Sequence, residues 1–235
     1  MVGSHPMFKW IVIGLVTVIA IAVGAWWYEE NRTESALLAQ PVYRVLKEHD
    51  RPLYDDLLER YRLYQREEES RERFVNFANA EISKAATIAL ARASQKSVLD
   101  LLADMVTTAK KLQAKPGDAC FRFWFPNVSG APDVAAAIDT TAQAHTLDLM
   151  AEVIRSAAED PAPPPDPERV KDDLAGVING VYEQYGADAQ MLAHADDART
   201  DRSKVCTITI SLYERIRQLP PDKASELIRT MAPTT

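Results

Sequence analysis

The sequence predicts an all-α protein: an N-terminal single transmembrane helix followed by a helical-bundle domain. Three observations predict it. The nineteen residues from Trp10 to Tyr28, WIVIGLVTVIAIAVGAWWY, carry no charge, and as a helix they reach ~28 Å, close to the hydrocarbon thickness of a bilayer. Glycine numbers only 8 in 235 residues, while Ala, Leu, Arg, Glu and Asp dominate, a balance that favours helix. Beyond the uncharged segment, apolar residues recur at three- and four-residue spacing in one stretch after another.

The first element, 10–28, has Trp10 at one end and Trp26, Trp27 and Tyr28 at the other. These amphipathic rings mark the two membrane interfaces. Lys9 precedes the segment, and Glu29 and Glu30 follow it. Positive charge stays on the cytoplasmic side, so residues 1–9 are expected to be a cytoplasmic tail and the body to lie outside. Residues 1–6 read as an appended remnant ahead of Met7 and carry no weight in the fold reading. Ala20-Ile-Ala22 resembles a signal-peptide cleavage site, but the apolar stretch continues through Val23 to Tyr28. That extra length favours an uncleaved anchor.

The body divides at one composition break. Asp160-Pro-Ala-Pro-Pro-Pro-Asp-Pro167 reads as a stiff polyproline connector. The expected organisation is therefore a first helical sub-bundle at 33–158, a connector at 159–167 and a second sub-bundle at 168–231 packed on the first. Some seven to nine helices are expected in the body.

Thr33 or Ser35 can cap the first helix, with Leu37, Leu38, Val42, Val45 and Leu46 as its stripe; Pro41 inside the stripe offers an alternative start. Pro52 suits the first turn of a second helix after Asp50. From Leu53 to Leu112 no Pro or Gly intervenes. Sixty residues of unbroken helix are too long for a compact domain, so breaks are expected near 66–73 and near Ser94. The run Arg66-Glu67-Glu68-Glu69-Ser70-Arg71-Glu72-Arg73 reads as a solvated helical face, with Glu67–Arg71 and Glu69–Arg73 as pairs four apart. Tyr54, Tyr61 and Tyr64 read as the edge of a core.

Pro116-Gly117 opens an expected loop over 116–130. Helix is expected again from Pro132-Asp133 to about Ala158, then from Val170 to Tyr182 with a stop near Gly186, and in a short piece through Met191. Residues 201–219 are ambiguous. Val205, Ile208, Leu212, Ile216 and Leu219 fit a helix, whereas 207–212 also alternate like a strand. A helix is preferred because a lone strand has no partner. Asp222 to Met231 forms the last helix.

After residue 28 the body carries 26 basic against 34 acidic residues, a net charge of −8. Without a basic stripe, nucleic acid is not an expected partner. Cys120 and Cys206 both lie on the outer side of the expected topology, where a lone pair joins as a disulfide. Closing a loop of that length contributes roughly 4–5 kcal/mol in the chain-entropy account.

No phosphate loop, nucleophile elbow, HExxH or paired-cysteine metal motif occurs. No catalytic residue, cofactor or metal is therefore expected. His194 with Asp196, Asp197 and Asp201 reads as a capped turn rather than a metal site. The unusual feature is Cys120-Phe-Arg-Phe-Trp-Phe-Pro126. If extended, Phe121, Phe123 and Phe125 plug the end of the bundle while Arg122 and Trp124 face outward as a partner anchor. Anchor followed by helical body is similar to the organisation of lipase-specific foldases, although their Arg-x-x-Phe-Asp-Tyr signature and long linker are missing here.

The expected function is that of a bacterial inner-membrane, single-pass protein with a periplasmic domain that acts by binding another envelope protein. It would serve as an accessory subunit, chaperone or immunity protein of an envelope or secretion system. A ligand-sensing bundle and a hydrolase without a recognisable motif are the alternatives.

Overall fold

The computed structural model describes residues 32–130 and 138–232. The expected anchor at 10–28, with Trp10, Trp26, Trp27 and Tyr28, lies outside the described residues. Among the described residues no helix is long and apolar enough to cross a membrane. Every regular element among them is helical, including 202–218, where strand alternation competed.

Two compact units divide between Ala78 and Asn79. In the first, a helical segment at 32–38 leads to α1 (Pro41–His49) and α2 (Arg51–Gln65). Pro41 opens α1 because a missing N–H costs nothing in a first turn. The Asp50 carboxylate accepts from the Leu53 N–H at 3.3 Å and starts α2 one residue ahead of Pro52. Val42, Val45 and Leu46 of α1 are buried, as are Tyr54, Leu57 and Leu58 of α2. Glu34 holds this unit's polar corner: Lys47 Nζ and the Tyr54 hydroxyl each donate to it at 2.9 Å. Those two donors hold its carboxyl below the usual range.

The chain breaks after Gln65, where the sequence suggested, but the charge run is a turn and not a helical face. Glu67 sits at φ 62°, so Glu67–Arg71 and Glu69–Arg73 do not stand four apart on one helix. Glu69 instead accepts from Arg60 at 2.8 Å, and Arg60 lies 4.0 Å over the Phe77 ring. α3 (Arg71–Ala89) follows, its Phe74 ring 5.3 Å from Tyr61 and 5.9 Å from Tyr64.

The second unit is built on α4 (Gln95–Gln113), which follows a 3₁₀ turn at Leu90–Arg92. Ser94 caps it, accepting from the Ser97 N–H at 3.2 Å. Val98, Leu101, Leu102, Val106 and Leu112 make one buried stripe, each such side chain contributing roughly 1.5–3 kcal/mol. Around α4 lie α5 (Ala119–Trp124), α7 (Thr140–Glu159), α9 (Arg202–Gln218) and α10 (Pro221–Met231). α6 is the turn Pro126–Ser129, and α8 (Pro167–Tyr185) packs on α9 and α10. A 3₁₀ segment, Gly186–His194, links α8 towards α9. Asp139, Asp166 and Asp201 cap α7, α8 and α9.

This arrangement departs from the expected helix count. Ten α-helices and two 3₁₀ segments follow the helical segment at 32–38 among the described residues, more than the seven to nine expected for the body. The helix before the connector runs from Thr140, with Asp139 as its cap; the expected start at Pro132 lies outside the described residues. The compact units divide between Ala78 and Asn79, and α4 from before the connector lies against α9 and α10 from beyond it. The connector itself is tied down. Ala162 N–H donates to the Arg92 carbonyl at 2.8 Å, and Asp166 N–H donates to Glu226 at 3.1 Å. Arg229, only 7% exposed, donates to the carbonyls of Ala91 and Pro163 and pairs with Glu226.

Candidate functional site

Cys120 and Cys206 are joined, with Cα atoms 5.8 Å apart. The bond ties α5 to α9 beneath the aromatic run. That run is helix over 119–124 and again over 126–129, not the loop expected. In a helix the side-chain period is 3.6 rather than 2, so the three phenylalanines do not share a face. Phe121 and Phe125, four apart, stack at 5.0 Å between centroids. Phe121 is buried with Ala195 and Val205. Phe123 turns toward the main core and meets Trp124 edge-on at 5.2 Å.

Trp124 does not project outward as the extended reading required. It is half-buried and lies flat on Tyr213 of α9, centroids 4.6 Å apart and planes 16° from parallel. Its Nε1 is buried with no hydrogen-bond partner, as is the Ser129 hydroxyl. Burial pushes the Tyr213 phenol up. Arg122 folds back over the turn and donates from Nε to the Gly130 carbonyl at 3.1 Å, where Gly130 takes the left-handed φ of 74°. Arg202 pairs with Asp118 and covers the Phe121 ring at 5.1 Å. The apolar group that this corner presents to solvent is Val128, 39% exposed.

The histidine–aspartate cluster is a capped turn, as expected from its residue types. Asp201 accepts from the N–H groups of Ser203 and Lys204 at 3.0 and 3.1 Å. Arg199 binds Asp197 at 2.8 Å and holds its carboxyl below the usual range.

The sequence reading missed a second feature, an open polar cleft of about 210 Å³ lined by Gln184, Ser211, Glu214, Arg215 and Gln218. Four of these lie at i, i+3, i+4 and i+7 along one face of α9. Arg215 Nη2 donates to Gln184 Oε1 at 2.9 Å, and the Ser211 hydroxyl meets the same oxygen at 3.2 Å. Arg215 Nε is buried without a partner. Its guanidinium lies across Gly180 of α8, where a β-carbon would come 3.0 Å from Cζ and closer still to Nη1. The available signals were this polar spacing and a glycine in mid-helix, each too common alone to single out a site.

Compared with protein-family models, with curated proteins and with solved structures, the chain gives no match.

Proposed function

We propose that this is a bacterial inner-membrane protein, single-pass with its N-terminus cytoplasmic, whose helical domain stands in the periplasm and acts by binding another envelope protein. An accessory-subunit, chaperone or immunity role fits that description. One observation carries the proposal: an uncharged, aromatic-flanked N-terminal segment in the same chain as a Cys120–Cys206 disulfide. Disulfides persist in oxidising compartments, and lone lysine placement puts the body on that side. The partner surface is assigned to the α5–α6 turn, where Val128 is exposed beside the half-buried Arg122 and Trp124. Aromatic and arginine side chains of this kind carry much of the energy of protein interfaces.

Spheroplasts provide the test. Protease added from outside should digest the body while leaving cytosolic markers whole; protection of the body would sink the assignment of side. Val128→Asp should leave the melting temperature unchanged and release a partner that co-purifies stoichiometrically with the wild type in detergent. Retention of that partner by the variant would remove the α5–α6 turn as the surface.

A further inference from the structure

We infer that the cleft between α8 and α9 is a binding site for a small organic carboxylate, with Arg215 as its anchor. Arg215 lacks the acidic partner that the buried Arg229, the half-buried Arg60 and the exposed Arg202 each have. Arg229 meets Glu226 and two backbone carbonyls, Arg60 meets Glu69, and Arg202 meets Asp118. None of the ion pairs among the described residues includes Arg215, and its single hydrogen bond goes to a neutral amide oxygen. The one carboxylate in the cleft, Glu214, is engaged by Lys110 of α4. A half-buried guanidinium without an acidic partner is costly unless an anion completes it.

Gly180 supports the same reading. Glycine inside a helix costs roughly 0.5–1 kcal/mol relative to alanine, and here its absent side chain is what lets the Nη1 end of the guanidinium approach α8. The backbone is shaped around the position of the charge. Nη1, which has no acceptor, and Nη2, with its second hydrogen, form a planar end that matches the two oxygens of a carboxylate. Ser211, Gln184 and Gln218 add neutral polar groups at the rim. A single guanidinium beside Glu214 suits a singly charged carboxylate better than a phosphate dianion, which calls for more positive charge.

The site does not depend on the membrane or partner assignment above, and its test is separate. Acetate is titrated into the full chain in detergent, followed by the backbone amide resonances of Gly180, Gln184 and Ser211. Saturable shifts at millimolar concentration are expected, as befits a four-atom ligand. Arg215→Gln should weaken the apparent affinity at least about tenfold, and Arg215→Lys should retain part of it, since the charge remains but the fork is lost. Gly180→Ala, which displaces the guanidinium without removing it, should weaken binding while leaving the protein folded. Shifts that never saturate, or that survive unchanged in Arg215→Gln, would overturn the site. Phosphate binding as tightly as acetate would overturn the carboxylate class.

Discussion

At the scale of single residues, the aromatic corner and the Glu34 cluster turn geometry into measurable stability. Trp124 lies face to face with Tyr213, yet its Nε1 hydrogen has no acceptor. The ring therefore contributes and the indole N–H does not. Trp124→Ala should destabilise the second unit by about 2 kcal/mol, less than for a fully buried aromatic. Trp124→Phe should cost under ~1 kcal/mol, because it keeps the stacked ring and removes an unpaired donor. Denaturant unfolding of both variants checks this, and equal losses would mean that the N–H does bind something. Glu34 titrates in the opposite sense from a buried acid. Its folded carboxyl lies below the ordinary value of 4.5 because Lys47 and Tyr54 donate to it. The stability that it supplies is thus full above pH 4.5 and disappears as the pH falls through the lower folded value. Glu34→Gln should cost about 1 kcal/mol near neutrality, and the difference from wild type should vanish in acid. Unfolding followed between pH 7 and pH 3 makes the comparison; a gap that persists in acid would assign the loss to packing.

At the scale of elements, the helices and their ends were legible because capping and proline chemistry are local. Pro41, Asp50 with Pro52, Ser94 and Asp201 each stand at the helix start that their residue type favours. The disulfide was legible from cysteine number and the expected compartment. The misread elements all depend on contacts distant in sequence. A polyproline run reads as a stiff connector, and only contacts distant in sequence, such as that of Arg229, 66 residues from Pro163, reveal that it is bonded in place. Cys120 to Phe125 look like a loop because Pro116-Gly117 and Pro126 bracket them, yet a disulfide to α9 and the Phe121–Phe125 stack hold a six-residue helix there. The Arg215 cleft was invisible for the same reason, since Gly180 and Arg215 meet only across two packed helices. The tied connector has a consequence. Arg229→Ala leaves the carbonyls of Ala91 and Pro163 without their donor and Glu226 without its cation, so a loss of about 3 kcal/mol is expected. Thermal unfolding measures it, and limited proteolysis should cut the variant, but not the wild type, within 160–166.

At the scale of the whole molecule, the two units rely on different stabilisers. Within 32–78 the polar anchor is the Glu34–Lys47–Tyr54 cluster, an electrostatic device. Within 79–232 it is the Cys120–Cys206 bond, a constraint on the unfolded chain across 86 residues, worth roughly 4–5 kcal/mol. Perturbing one device should therefore act on one unit. Hydrogen exchange at fixed pH resolves the two, because amides open in cooperative segments with their own free energies. Reduction of the disulfide should speed exchange in α4, α5 and α9 and leave α1 and α2 unchanged. Glu34→Gln should do the reverse. If reduction instead speeds exchange equally in α1 and α2, the units unfold together, and the division at Ala78 describes packing without describing stability. If the expected pattern holds, loss of the disulfide in a reducing compartment would loosen the half carrying both the aromatic corner and the Arg215 cleft, and spare the half that follows the uncharged N-terminal segment.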